Sequence, residues 1–206
     1  TSSFYNSPTD MGVNRAGFSI IDDEVVREAA IQEIIRRYFR YSCEYAMGLV
    51  DKETVQRIEL LMEDLNIKIN DRKVVIPARE AALETQRKGK GNKGIFCGAA
   101  VELKDGTIIT GGNSHLMHAA SSLILNATKH LAKIPKDIDL LPLSIIESLN
   151  HFKKDILKGK MASLDLGETL IVLCISAATN PLAQIAVEKL KELNGCEVHM
   201  THIPTP

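Results

Sequence analysis

The segment that begins at Gly94 constrains the fold of this chain more than any other. Residues 95–103 are apolar and form a predicted strand. Asp105-Gly106 follows, a pair typical of tight turns because glycine adopts positive φ without steric cost. A second strand is predicted over residues 107–110, and Gly111-Gly112 is expected to end it. The pattern therefore predicts a β-hairpin.

A long apolar helix, predicted from about residue 114 to residue 133, follows the hairpin. Gly112-Asn113-Ser114 forms the corner between the two elements. Ligands of open α/β sheets bind beyond the ends of strands, and helix N-termini offer free N–H groups to anions. This corner is therefore a candidate binding site, although capping of the helix by Ser114 would also account for its polar residues.

The composition of the whole chain excludes several classes of protein. Its 206 residues include 25 basic and 26 acidic side chains, so it lacks the basic excess of a nucleic-acid-binding protein. No apolar run approaches the ~20 residues of a membrane helix, and no signal-peptide pattern opens the chain. We therefore expect a cytoplasmic protein with neither nucleic-acid nor membrane partners.

The four cysteines are far apart in the sequence and each has apolar neighbours. This pattern predicts reduced thiols in the core rather than disulfides or zinc ligands, which agrees with a cytoplasmic protein. The residues in question are Cys43, Cys97, Cys174 and Cys196.

Residues 1–21 are predicted to form a leading loop, because Pro8, Gly12 and Gly17 interrupt regular structure. Asp10 and Asn14 in this loop offer side-chain oxygens to a ligand. The alternative interpretation is a linker to a preceding domain.

Residues 22–87 are predicted to form a helical subdomain of three helices, which begin near Asp22 or Asp23, Asp51 and Asp71. Pro77 lies inside the third helix pattern, so that helix either begins there or kinks there. Residues 88–94, KGKGNKG, are predicted to be a linker. Their spacing does not match a P-loop.

Residues 95–206 are predicted to form a three-layer α/β/α sandwich, because strands and helices alternate. After the hairpin and its helix, we expect a short strand at 138–141 and a helix that Pro142 or Ser144 opens and that runs through Ile156. The near-continuous apolar run 168–176 predicts a central strand covered on both faces. A helix beginning at Pro181 and a final strand at 196–203 complete the pattern.

Thr179-Asn180-Pro181 is the second corner at which a predicted strand passes into a helix. Thr179 or Asn180 could cap that helix, with Pro181 in its first turn. His115 and His118 share a helix face, but no Asp, Glu or Cys lies nearby in the sequence to complete a metal site. The candidate ligand-binding set contains no metal ligand. Its members are Asp10, Asn14, Asn113, Ser114, His118, Thr179 and Asn180.

The hairpin, the Gly-Asn corner and the Ala-rich helix resemble the opening of the cytidine-deaminase fold. In that family the helix carries His-Ala-Glu or Cys-Ala-Glu, and a later helix begins with Pro-Cys-x-x-Cys. The His or Cys of the first motif and the two Cys of the second hold a catalytic zinc, while the Glu shuttles protons. This chain has His118-Ala119-Ala120 at the first place and Asn-Pro-Leu-Ala-Gln, residues 180–184, at the second. The resemblance implies a deaminase-like fold without the zinc chemistry.

Longer motifs, in the same order along the chain, resemble the C-terminal half of a bacterial family known as domain of unknown function 1846. They are the runs SPTDMGVNRAGF, IDDEVVREAAIQEIIRRY, GLVDKETVQRIELLM, IIESLNHFK, CISAATNPLAQIAVEKL and LNGCEVHMTHI. The resemblance implies a helical subdomain followed by a deaminase-like one. It also implies that an N-terminal domain of the same protein is missing, in keeping with the absent initiator Met.

The sequence supports two hypotheses about function. The first is an enzyme, or part of one, that binds a small anionic or nucleotide-like ligand at the two corners without a metal or other cofactor. No catalytic residue is assigned, because Ser121 and Ser122 have no evident activating partner. Some members of the resembled family are labelled ATP-dependent peptidases, but this chain lacks the H-E-x-x-H, P-loop and G-x-S-x-G motifs. The second hypothesis is a structural domain that forms homo-oligomers through its helical block.

Overall fold

The computed structural model describes residues 22–159 and 163–202. The chain divides after Arg72 into two units. This division falls before the predicted linker at 88–94, which lies inside the second unit. Asp10 and Asn14, with the rest of the predicted leading loop, lie outside the described residues.

The first unit contains two long helices, α1 (Asp23–Ala46) and α2 (Lys52–Asp64), and a short 3-10 turn at Ile69–Asp71. The carboxylate of Asp22 accepts hydrogen bonds from the main-chain N–H groups of Glu24 and Val25 at the start of α1. Asp51 caps α2 in the same way, with Thr54 N at 2.8 Å. The predicted N-terminal caps of these two helices are therefore confirmed.

A small apolar cluster around Ile35, Met62 and Ile67 forms the core of the first unit. Helix α2 buries Val55, Ile58 and Met62, which recur at helical spacing along one stripe. Other apolar side chains of these helices are exposed, because a two-helix unit covers only one stripe of each helix. Val26, Leu61 and Leu65 are among them.

The second unit is a mixed α/β structure, and the predicted fold class is confirmed at that level. Its chain order is α3 (Val75–Arg87), β1 (Gly98–Glu102), β2 (Ile108–Gly112), α4 (Ala119–Leu131), α5 (Leu143–His151) with a π-helical extension (Phe152–Ile156), α6 (Leu166–Ser176), α7 (Pro181–Lys189), a 3-10 turn (Leu190–Leu193) and β3 (Glu197–Met200). Pro77 lies in the first turn of α3, where its missing N–H costs nothing.

The three strands form one antiparallel sheet in the order β2-β1-β3. The predicted turn between β1 and β2 is confirmed: Gly106 has a φ of +82°, and its N–H donates to the carbonyl of Leu103 at 2.9 Å. On the other side of β1, Ala99 is paired with Met200. The central strand of the sheet is therefore the first strand of the hairpin.

Helices α3 and α4 lie on opposite faces of this sheet. A Cβ atom on Gly98 would clash with the main chain of Ala78 and Ala82 in α3, whereas one on Gly111 would clash with the main chain of Ala119 and Leu123 in α4. The glycines therefore allow both helices to approach the strand backbone closely. Gly111 and Gly112 were predicted to break β2; both are instead strand residues.

The prediction of a central strand at residues 168–176 is wrong, because this segment belongs to helix α6. Asp165 and Glu168 form a reciprocal capping box: Asp165 Oδ1 accepts from Glu168 N at 2.8 Å and Glu168 Oε2 accepts from Asp165 N at 3.0 Å. Four buried positions then recur at helical spacing, while Ile171 and Ile175 are 61% and 59% exposed. An apolar run of this length does not distinguish helix from strand by itself.

Three smaller sequence predictions also differ from the structure. Residues 138–141 form a bent, irregular loop rather than a strand. Helix α4 begins at Ala119 rather than near Ser114. Cys174 is exposed on the outer face of α6 and is not a core thiol, although all four cysteines are free as predicted. None of the helices described within residues 22–159 and 163–202 has the length and apolar character that crossing a membrane requires.

The contact between β1 and α3 can be tested by Gly98→Ala. The added methyl group would meet main-chain atoms of Ala78 and Ala82, which cannot rotate away. We expect the free energy of unfolding to fall by about 3 kcal/mol, at the upper end of the cost of overpacking. Urea denaturation measures the change.

Gly167→Ala is the matched control. Gly167 lies in the first turn of α6, has an ordinary φ, and a Cβ there would make only a van der Waals contact with Asp165. This variant should be as stable as the parent chain or slightly more so. Equal stability of the two variants would contradict the close approach of α3 to β1.

Candidate functional site

Asn113 connects the corner after β2 to the segment that enters β1. Its side chain is buried. Its Oδ1 accepts a hydrogen bond from Cys97 N at 2.8 Å, and its Nδ2 donates to the carbonyl of Ile95 at 2.9 Å. The main-chain N–H of Asn113 donates to the carbonyl of Cys97 as well. Both polar ends of this amide are therefore engaged by the main chain.

Ser114 organises the turn between this corner and α4. Its hydroxyl oxygen accepts from the main-chain N–H groups of Leu116 and Met117 at 3.2 and 3.3 Å. Next along the chain, His118 is the N-cap residue of α4 by its main-chain angles, and its N–H donates to the carbonyl of Leu164. The hydroxyl hydrogen of Ser114 stays available to a ligand.

A cavity of about 400 Å³ lies beside this corner. Its wall includes main chain at Gly111 and Gly112. The polar side chains that line it come from α3 and the turn after it (Glu84, Thr85, Lys88, Lys90), from β2 and the corner (Thr110, Asn113, Ser114), from α4 (Ser122, Asn126, Lys129) and from the following loop (Asp139).

Lys129 is the most deeply buried charged residue of this cavity, with 8% of its surface exposed. Its ammonium donates one hydrogen bond, to the carbonyl of Lys136 at 3.2 Å. An ammonium has three N–H donors, so two of them have no partner among the described residues. A buried cation without a paired carboxylate is costly, and an anionic ligand in the cavity would offset that cost.

The other charges of the cavity are unevenly paired. Lys88 contacts Glu84 at 2.5 Å, and its ammonium, hydrogen-bonded to that carboxyl, lowers the pKa of Glu84. Lys90 lines the same cavity from an exposed position. Apart from the Glu84–Lys88 pair, the lining contains two lysines, Lys90 and Lys129, and one carboxylate, that of Asp139. The cavity therefore favours an anion.

The second predicted corner does not line this cavity. Asn180 caps α7, with its Oδ1 accepting from Leu182 N at 3.0 Å and from Ala183 N at 3.4 Å, and Pro181 occupies the first turn as predicted. Thr179 is exposed beside it. The structure thus brings Asn113 and Ser114 to the cavity, whereas His118, Thr179 and Asn180 lie elsewhere in the unit.

His118 instead interacts with His202, which follows β3. Nε2 of His118 and Nδ1 of His202 are buried, and neither has a hydrogen-bond partner among the described residues. Burial, and after it the charge of His118, lowers the pKa of His202. Sequence analysis missed this pair, because it depends on the pairing of β3 beside β1.

No three side chains of the His, Cys, Asp and Glu types come together as a metal site within the described parts of the chain. Besides the lining residues from α3, the turn after it and β2, sequence analysis missed Ser122, Asn126, Lys129 and Asp139 at the cavity. Three of the residues from α4 and the following loop were detectable: Ser122, Asn126 and Lys129 recur at i, i+4 and i+7, which places polar side chains along one face of a mostly apolar helix.

Comparison with protein families gives two adjoining matches. Residues 70–206 match the model described as domain of unknown function DUF1846, C-terminal. Residues 1–66 match the model described as domain of unknown function DUF1846, N-terminal. The prediction that this chain consists only of the C-terminal half, with the N-terminal domain as a missing partner, is therefore wrong: the chain contains sequence of both domains.

The chain is also similar to curated bacterial proteins named UPF0371 protein. One from Clostridium botulinum strain Langeland is 53% identical over 202 residues, which cover 98% of this chain and 40% of that protein. One from Clostridium tetani is 49% identical over 199 residues, covering 97% of this chain and 39% of that protein. The chain thus spans about two fifths of the length of these relatives.

The role of Asn113 in joining the two segments can be tested by Asn113→Ala. The substitution leaves Cys97 N–H and the Ile95 carbonyl without their partner, so we expect the free energy of unfolding to fall by about 2 to 4 kcal/mol. Chemical denaturation measures this loss. Asn194→Ala, at an exposed position, is the control and should change stability little. A loss below about 1 kcal/mol for Asn113→Ala would contradict this role.

The lowered pKa of His202 predicts a pH dependence of stability. As the pH falls below about 6.5, the unfolded chain takes up a proton at this ring before the folded chain does. This residue's contribution to the free energy of unfolding is therefore present above that pH and is lost as the pH falls through the folded pKa. His202→Gln should reduce the decline in stability between pH 7.5 and pH 5.5, measured by urea denaturation.

His115→Gln, at an exposed position, serves as the control for this comparison. It should leave the decline in stability between the two pH values as it is in the parent chain. If His202→Gln behaved like this control, the proposed linkage between His202 and folding would be refuted.

Proposed function

The chain belongs to the DUF1846 family of domains of unknown function. For this member of the family we propose that the second unit binds a small anionic ligand, without a metal, in the cavity beside the Gly112-Asn113-Ser114 corner. The observation that carries this proposal is Lys129, a buried ammonium with one main-chain hydrogen bond and two unused donors. An anion would supply the missing partner.

The size and lining of the cavity support the same proposal. About 400 Å³ lies within the range of small-molecule sites. Ser114 and Lys90 add donors to those of Lys129. Because Asn113 is engaged by the strand that it supports, its contribution to the site is to hold the corner in place.

The finer fold assignment is also part of this proposal. A hairpin followed by α4 corresponds to the opening of a cytidine-deaminase-like three-layer sandwich, with α3 and α4 as the outer layers. The correspondence stops at α6, where that fold would have a strand leading into α7. We therefore restrict the deaminase-like interpretation to residues 98–131, and assign no deaminase chemistry to the chain.

The ligands expected from the sequence, an anion or a nucleotide, are distinguished by experiment. Inorganic phosphate and AMP are titrated separately into the purified chain while its thermal unfolding is followed. A ligand present at a hundredfold excess over its Kd should stabilise the chain by about 2.7 kcal/mol. Lys129→Met keeps the length of the side chain and removes the charge, so the stabilisation should disappear.

Lys104→Met is the matched control, because Lys104 is exposed in the hairpin turn and does not line the cavity. This variant should retain the full ligand effect. If no anion stabilises the parent chain, or if Lys129→Met retains the effect, the proposed site is wrong. The competing hypothesis of a purely structural domain would then be favoured.

A further inference from the structure

We propose that the anion bound in this cavity is a sugar phosphate, recognised by its phosphate group at one end and by its hydroxyl groups at the other. This inference rests on the proposed anion-binding function and names the class of its ligand. It follows from how the polar groups are arranged along α4, from the two signs of charge in the cavity, and from the kinds of side chain that line it.

The spacing of the polar residues along α4 indicates the length of the ligand. Ser122, Asn126 and Lys129 lie on one face of the helix in successive turns, as a polar stripe, and line the cavity. At a rise of about 1.5 Å per residue, Ser122 and Lys129 are about 10 Å apart along the helix axis. A pentose or hexose phosphate in extended form spans a similar length. Inorganic phosphate reaches only one end of the stripe.

The two ends of this stripe offer different chemistry. Lys129 offers two free N–H donors to a phosphate group. Asn126 donates its Nδ2 to the carbonyl of Thr110 at 2.8 Å, so its side-chain oxygen is left as an acceptor for a ligand hydroxyl. Ser122 adds a hydroxyl, which both donates and accepts. Donors for an anion and partners for hydroxyl groups are therefore separated along one helix.

Asp139 explains why a purely anionic ligand is a poor match. Its carboxylate lines the same cavity as Lys129 and Lys90 and would repel a second negative group. A carboxylate is a strong acceptor for hydroxyl donors. A ligand that combines one phosphate with several hydroxyl groups satisfies the lysines and Asp139 together, which neither phosphate alone nor a dicarboxylate does.

The lining also distinguishes a sugar phosphate from a nucleotide. Among the described residues, no Phe, Tyr or Arg side chain lines this cavity. Nucleobases in protein sites usually stack on such planar groups. The apolar part of the lining consists of Ala81, Met117 and Leu125, which provides no stacking plane. A base attached to the sugar would therefore gain little here.

The test compares four probes by isothermal titration calorimetry on the chain as it is: inorganic phosphate, ribose, ribose 5-phosphate and AMP. We expect ribose 5-phosphate to bind at least tenfold more tightly than inorganic phosphate, ribose to show no binding, and AMP to bind no more tightly than ribose 5-phosphate. A probe preference of this kind requires both ends of the polar stripe.

Two variants test which lining residue binds the phosphate end of the ligand and which binds its hydroxyl end. Lys90→Met and Asp139→Asn change exposed positions, so neither is expected to disturb folding, which circular dichroism checks. Asp139→Asn should weaken the binding of ribose 5-phosphate at least fivefold and should leave the affinity for inorganic phosphate unchanged or higher. Lys90→Met should weaken the binding of inorganic phosphate and of ribose 5-phosphate to the same extent. Lys104→Met should leave both affinities unchanged.

The outcomes separate this inference from the proposed function. Equal affinity for inorganic phosphate and ribose 5-phosphate, both strengthened by Asp139→Asn, would refute the sugar phosphate and leave the anion site intact. Tenfold tighter binding of AMP would refute it in favour of a nucleotide. Absence of binding by every phosphate probe would refute the anion site itself, and the inference with it.

Discussion

Close approach of two helices to the backbone of β1 and β2 is the constraint on which the second unit depends. Gly98 and Gly112 are paired across the two strands, and Cβ atoms at these positions would clash with Ala78 and Thr85 in α3. Gly111 provides the equivalent contact with α4 on the opposite face. Interiors are close-packed, so a methyl group at any of these positions has no space unless a helix moves away.

The same glycines shape the candidate site. Gly111 and Gly112 also line the cavity, together with residues of helices α3 and α4. Asn113 follows them directly and uses both ends of its amide to hold the segment that enters β1. Residues 111–113 thus allow two helices to pack closely on the strands, hydrogen-bond to the segment before β1, and line the cavity that contains the buried Lys129.

Local signals in the sequence predicted local structure well. Asp22 and Asp51 cap their helices, Asp105-Gly106 forms the hairpin turn and Asn180-Pro181 begins α7, because each effect depends on neighbouring main-chain atoms only. Helix α6 is the exception. The apolar run alone suggested a strand, whereas Asp165 and Glu168 at capping-box spacing marked a helix start. The short-range signal was the more informative one.

The sequence by itself determined the family, the hairpin, the caps and the position of the corner at Gly112-Asn113-Ser114. Only the tertiary structure decided what that corner adjoins. The burial of Lys129 in the cavity that Asp139 also lines depends on how α4 packs on the sheet, and the electrostatic interaction of His118 with His202 depends on the pairing of β3 with β1. These relations join residues of different elements, and packing energy, rather than local propensity, brings them together.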